Sequence, residues 1–200
     1  MNRGNLIVIS GPSGAGKSTV VSRAMTFRND ICFSTSVTTR KPRPGEVDGV
    51  DYFFIDQSRF DEMVRNNELL EHAVYVSNSY GTPAKFVEEQ LEKGMNVILD
   101  IEIQGAAQVH SNKPEAVMIF IIPPSIDELR KRLTGRGTEN EETIEARIQR
   151  AIQECREADF YDYIIINDDL DKASEDLSSI MNAELCRFAK KKDVLYSFGK

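Results

Sequence analysis

The sequence predicts an α/β fold built on a doubly wound parallel sheet, and three observations predict it. Four short runs are apolar throughout rather than alternating, which suits parallel strands covered on both faces. Helix-like segments separate these runs, as βαβ units require. A glycine-rich turn joins the first run directly to a helix.

In chain order, Leu6–Ser10 is β-branched and apolar, flanked by Gly4 and Gly11, and reads as the first strand. A helix follows over residues 18–27. Residues 33–82 break the rhythm. They are rich in aromatic and turn residues (Tyr52, Phe53, Phe54, Tyr75, Tyr80) and read as short strands around one helix starting near Ser58. Thr82 and Pro83 supply a cap and a first-turn proline for a helix ending near Gly94. Residues 97–100 and 117–122 are the next strands. Ser125 caps another helix, with Glu128 as its capping-box partner. Residues 134–140 are polar, contain glycine and read as a mobile connection. Residues 141–158 and 172–189 read as amphipathic helices on either side of a strand at 163–166. In the first of them Ile144, Ile148, Ala151 and Cys155 share a stripe. The tail, 190–200, reads as solvated and poorly ordered.

The 200 residues, 40% of them hydrophobic, suit one compact domain with small insertions. No apolar run approaches the ~20 residues of a membrane span. The N-terminus lacks the apolar stretch of a secretory signal, so a cytoplasmic protein is expected. Three cysteines, far apart and odd in number, suggest buried reduced thiols rather than disulfides or a metal cluster. Lys and Arg total 25 against 32 Asp and Glu, a net charge of −7, which argues against a nucleic-acid partner. Basic residues still cluster locally, at Arg40, Lys41 and Arg43 and at Arg130, Lys131, Arg132 and Arg136. Such clusters on an acidic chain fit a small anionic ligand.

Gly11-Pro12-Ser13-Gly14-Ala15-Gly16-Lys17-Ser18 matches G-x-x-x-x-G-K-[ST] in full, between a strand and a helix. Glycines let the backbone curl so that N–H groups face phosphate oxygens, and the helix adds its positive dipole end. Lys17 suits the β- and γ-phosphates and Ser18 can ligate Mg²⁺. The motif identifies a nucleoside triphosphate but not the acceptor. A second anion site is expected at residues 38–46, where Arg40 and Arg43 stand among prolines that restrict the backbone. Tyr52 and Tyr80 could add hydroxyl donors.

The ordered landmarks resemble guanylate kinase over nearly the whole chain. They are Gly11 to Ser18, Thr38-Thr-Arg40-x-x-Arg43-x-x-Glu46, Asp48-Gly-x-Asp-Tyr52, Asn67-Glu-Leu-Leu-Glu71 and Tyr80-Gly-Thr82. They continue with Leu99-Asp100-Ile-Glu102-x-Gln-Gly105, Gly135-Arg-Gly-Thr138 and Asn167-Asp-Asp169. The resemblance implies a P-loop kinase core of residues 1–33, 83–133 and 143–200. It also implies a GMP-binding insert of 34–82 and a mobile lid of 134–142. ATP and GMP are the implied substrates and Mg²⁺ the implied cofactor, carried with ATP. Gly11 to Ser18 with Thr19, Arg136 and Asn167 would bind ATP, with Asn167 near the adenine. Arg40, Arg43, Tyr52 and Tyr80 would bind the GMP phosphate, and Glu46 belongs to the same GMP-binding set. Ser36, Glu71 and Thr82 would read guanine, with Asp100 and Glu102 beside them. Ser18, and Asp100 through water, would serve the metal. Lys17, Arg40, Arg132, Arg136 and Arg147 would act on the transferring phosphates. Glu102 departs from the family pattern, since many relatives carry Asp there; it keeps the charge and lengthens the arm. The resemblance leaves a homodimer open and gives no place to a membrane or nucleic acid.

Guanine presents N1–H and N2–H₂ side by side, and one carboxylate can accept from both. Adenine offers an acceptor there instead. Such a bidentate pair is worth about 1–3 kcal/mol of discrimination. The implied reaction is in-line phosphoryl transfer to an acceptor that is already an anion, so no general base is needed. The histidines, His72 and His110, read as structural or exposed. Three alternatives remain at this point: a kinase for another small phosphate acceptor, a non-catalytic scaffold for phosphopeptides, and a regulatory GTPase.

Overall fold

A computed structural model gives the architecture and describes residues 3–75, 77–135 and 140–198. The core is a five-stranded sheet, all parallel, made of β1 (Leu6–Ser10), β2 (Ile31–Phe33), β7 (Asn96–Asp100), β8 (Val117–Ile122) and β9 (Tyr163–Ile166). The spatial order is β2-β7-β1-β8-β9, so the direction of winding reverses at β1. An open sheet of this kind binds ligands beyond the carboxyl ends of the strands at that reversal.

Burial explains the apolar runs. All five residues of β1 are buried, as are Val117 to Ile121 of β8. One face packs on α1 (Lys17–Met25) and α7 (Leu170–Leu185) through Val20, Val21, Ala24, Ala173, Leu177 and Met181. The other packs on α3 (Ala84–Glu92) and α4 (Ile103–Asn112) through Val87, Leu91, Ala106 and Val109.

A smaller sheet, β4-β3-β6-β5, holds β3 (Val37–Thr38), β4 (Phe53–Phe54), β5 (Leu69–Tyr75) and β6 (Asn78–Pro83). It packs on α2 (Gln57–Arg65), whose Phe60 and Met63 meet Val37. Asp56 caps α2 by accepting from the Arg59 N–H at 2.7 Å. The hairpin pair α5 (Ile126–Thr134) and α6 (Glu141–Arg156) closes its own core of Leu129, Leu133, Ile144, Ile148 and Ala151. Ser125 caps α5 as expected, accepting from the Glu128 N–H at 3.1 Å.

Several expectations are corrected. Thr82 does not cap α3. It lies in β6, and Pro83 occupies the cap position. The second amphipathic helix runs Leu170–Leu185, and the tail is not unstructured but forms α8 (Phe188–Ser197). Lys190 anchors that helix by donating to Asn5 Oδ1 on the buried edge of the core. Cys155 drops off its stripe and is exposed, as is Cys186, and Cys32 is half-buried. All three stand as free thiols, and the expected burial does not hold. Among the described residues no helix is long and apolar enough to cross a membrane.

Candidate active site

The phosphate loop is a tight turn between β1 and α1. Gly11, Gly14 and Gly16 have φ of 142°, 94° and 86°. These values favour glycine, and space also demands it: a Cβ on Gly11 would stand 2.0 Å from the Ile121 carbonyl oxygen. Gly16 occupies the N-cap of α1, so the first N–H groups of that helix lack intrahelical partners and open onto the loop. Lys17 Nζ donates to the Gly11 carbonyl at 2.8 Å and stands 3.8 Å from Asp100 Oδ1. The sheet register brings Asp100 there, because it pairs with Ile9 at the end of β1. Burial lifts the Asp100 carboxyl above its ordinary value, Lys17 opposes the shift, and Glu102 adds to it.

The smaller sheet carries the second half of the site. Arg40 follows β3 and is gripped by Glu46 through Nη1 at 2.9 Å and Nη2 at 2.8 Å. Glu46 also accepts from the Arg43 N–H at 2.7 Å. These bonds hold the Glu46 carboxyl down at about 2, with the Arg40 side chain the main cause. The Arg40 guanidinium lies 5.4 Å from the Tyr52 ring centroid, and the Tyr52 and Tyr80 rings meet edge-on at 6.1 Å. Arg40 is therefore fixed in direction before any ligand arrives.

Glu71 lies on β5 and is only 5% exposed. Desolvation raises its pKa, and hydrogen bonds from Thr82 oppose the rise. The Thr82 hydroxyl donates to Oε1 at 2.7 Å from the neighbouring strand. Gly105 of α4 makes room for Oε2, which a Cβ at 105 would approach to 2.7 Å.

These pieces meet in one cavity of about 230 Å³. Gly11, Lys17 and Asp100 line one part of it, and Ser36, Tyr52, Glu71 and Tyr80 line another, with Glu102 and Gly105 between. A second space of similar size adjoins it between the loop and α6, lined by Ser13, Lys17, Arg147 and Arg150.

The other expected residues take up several different places. Thr82 is fully buried behind Glu71 and reaches the cavity only through it. Arg43 is exposed. Arg132 Nε donates to Glu128 at 2.9 Å and its Nη2 to the Asn167 carbonyl at 2.9 Å, behind the loop. Arg147 reaches the loop directly, donating to Ser13 Oγ at 2.8 Å. Ser18 and Thr19 lie on the first turn of α1, and both are exposed. Arg136 lies outside the described residues. Glu102 is held by Arg150 Nη2 at 2.6 Å, and Arg150 Nε also donates to the buried Glu154 at 2.9 Å. Sequence reasoning gave no role to Gly105, Arg150 or Glu154. Arg150 and Glu154 are an i,i+4 pair of opposite charge on a helix face, a weak signal that was available.

Among the described residues no three His, Cys, Asp or Glu side chains converge on a metal-sized site. The donors expected from the sequence are the Ser18 hydroxyl and the Asp100 carboxylate. Both are hard oxygens, and such a sparse set fits Mg²⁺, which keeps several waters and takes its remaining ligands from phosphates.

A glycine loop on a parallel sheet, facing a second anion-and-carboxylate pocket across one cleft, defines a P-loop kinase of small phosphorylated acceptors. The family model for guanylate kinase matches residues 3–184. A guanylate kinase of Bacillus cereus is 51% identical over 92% of this chain and 91% of its own. One from Rubrobacter xylanophilus is 49% identical over 90% and 95%. The crystal structure of guanylate kinase from Anaplasma phagocytophilum superposes with a TM-score of 0.74 at 34% identity, covering 95% of this chain and 90% of that one. The chain belongs to the guanylate kinase family.

Proposed function

We propose that the chain transfers the γ-phosphoryl group of ATP to GMP, giving ADP and GDP. The observation that carries this reading is the single cavity lined at once by Lys17 and Asp100 and by Glu71, Tyr52 and Tyr80. A phosphate loop with no facing acceptor pocket would suit a hydrolase or a switch equally well.

The backbone N–H groups of Gly14, Gly16, Lys17 and Ser18, with the Lys17 ammonium, hold the ATP phosphates, while the Ala15 N–H closes the turn on the Pro12 carbonyl at 3.0 Å. Mg²⁺ carried with ATP would rest on Ser18 and, through water, on Asp100, and would neutralise phosphate charge. Arg40, Arg43, Tyr52 and Tyr80 hold the GMP phosphate. Glu71, set by Thr82, accepts from guanine N1–H and N2–H₂, and Ser36 and Glu102 flank the base. Bringing two polyanions together is the main obstacle, so positioning and cation placement supply most of the catalysis. Arg147 touches the loop and Arg132 stands near the end of α5; together with Arg136, which lies outside the described residues, they would act on the transferring phosphates. Residues 34–82 act as the acceptor-binding unit and 134–142 as a lid over the remaining core, closing to exclude water.

The test is a panel of mononucleotides with ATP, followed by ADP release. GMP should be preferred over AMP, UMP and CMP, and Lys17→Ala should abolish turnover without unfolding the protein. A preference for another acceptor, or near-normal turnover in Lys17→Ala, would overturn the assignment.

A further inference from the structure

The peptide unit is planar, so the Ala15 carbonyl and the Gly16 N–H point in opposite directions. An anion nest works only while its N–H groups face inward and its carbonyls face away. The Ala15 carbonyl is turned into the protein, where it accepts from Asn167 Nδ2 at 2.8 Å. Asn167 is 7% exposed and follows β9, with its own N–H donating to the Ile122 carbonyl at 2.8 Å. Gly16 is shaped to this contact. A Cβ there would stand 2.4 Å from Asn167 Nδ2. The family resemblance places Asn167 near the adenine, yet its amide is directed at the loop backbone.

Resting on the reading of this loop as the ATP cradle, we propose that Asn167 is a positioning residue for the triphosphate. Its amide holds the Ala15 carbonyl inside the protein, away from the nest, and so aims the Gly16 N–H at the phosphates. Its effect on ATP binding is then independent of the base. The backbone carbonyl of Asn167 accepts from Arg132, which ties the same residue to the helix that leads into the lid.

Asn167→Asp replaces the donor with an acceptor, so two oxygens face each other across the space of one hydrogen bond. The Ala15–Gly16 peptide must then turn. ATP and inorganic tripolyphosphate, which has no base, should weaken by the same factor, about tenfold or more. GMP affinity, measured without ATP, should stay unchanged and also reports an intact acceptor site. Asn167→Ala leaves the carbonyl unpaired and should give a smaller loss in the same direction. Loss of ATP affinity with tripolyphosphate unaffected would overturn the proposal in favour of an adenine contact. No loss for either ligand would overturn it as well. Should both variants unfold, the wild-type protein still decides by NMR. The Asn167 side-chain NH₂ resonances should respond alike to ATP and tripolyphosphate, and a response to ATP alone would refute the proposal. A wild-type protein that binds neither ligand would refute the cradle itself, a result distinct from either variant outcome.

Discussion

Gly105→Ala isolates base recognition from folding and from phosphate chemistry. Gly105 is buried on α4, lines the cavity and lies against the Glu71 carboxylate. The added Cβ would fall 2.7 Å from Oε2 and 3.3 Å from Cδ, where ordinary contact begins at 3.4 Å. The carboxylate must therefore retreat by about 0.7 Å at its outer oxygen. Thr82 holds the inner oxygen at 2.7 Å, so the group rotates about that anchor and leaves the geometry that can accept from two parallel donors. A bidentate base contact is worth about 1–3 kcal/mol, so KM for GMP should rise about 5- to 150-fold. Alanine is preferred to glycine in a helix by ~1 kcal/mol, which offsets the cost of moving the carboxylate and leaves the melting temperature near that of the parent. Steady-state kinetics with each substrate varied in turn provide the assay. KM for ATP should not change. An unaltered KM for GMP would refute the claim that the bare Cα at 105 sets the position of Glu71, and an equal rise in both KM values would point to general damage.

Burial raises the Glu71 pKa above its usual 4.5, and only the ionised form accepts from both guanine donors. GMP affinity should therefore fall as pH drops through that raised value, and Glu71→Gln should lose both selectivity and this acid limb. The stability linkage has the opposite sense. The extra proton affinity stabilises the fold fully below 4.5 and is lost as pH rises through the folded value, so Glu71→Gln should flatten that part of a denaturation–pH curve. Glu46→Gln removes the bidentate grip on Arg40, and KM for GMP should rise several-fold with the fold intact. Because Arg40 holds Glu46 down at about 2, the pair's contribution is present above 4.5 and lost as pH falls towards 2; NMR titration of the Glu46 carboxyl checks this.

The four long core strands were legible because an all-apolar run has few other places to go than the middle of a parallel sheet. β2 was not, because three residues at a sheet edge carry no pattern. α4 was also missed: Ile103-Gln-Gly-Ala-Ala-Gln-Val-His has a thin stripe and a glycine whose reason, Glu71, lies on another element. The Thr-Pro signal at 82–83 misled for a similar cause. The threonine hydroxyl that would cap α3 is committed to Glu71, eleven residues away. α8 is tied to the core by Lys190 reaching Asn5 across 185 residues, a contact that no local pattern encodes. In the site, the loop from Gly11 to Ser18 declares itself because its chemistry is local. Glu71 alone looks like any surface carboxylate, and only the family resemblance marked it. The contacts that tune the site, Asn167 to Ala15 and Arg150 to Glu102, join residues far apart in sequence and became visible only in the fold.

The cations of the proposed site are paired differently on its two sides, and this suggests how the substrates meet them. Arg40 and Glu46 are mostly enclosed, with side chains 14% and 19% exposed, and their bidentate geometry fixes the guanidinium. A phosphate can use the remaining Arg40 donors without breaking that pair, so the acceptor side is built before binding. Arg150 and Glu102 are 54% and 57% exposed, where an ion pair contributes only about 0–1 kcal/mol. Arg132 and Glu128 are intermediate at 25% and 28%. Exchanging such a pair for a phosphate or a guanine edge costs little. The arginines on α5 and α6 can therefore change partners as the substrates arrive, while Arg40 keeps its own. In the proposed reaction the loosely held charges gain most when two sets of phosphates converge on Lys17.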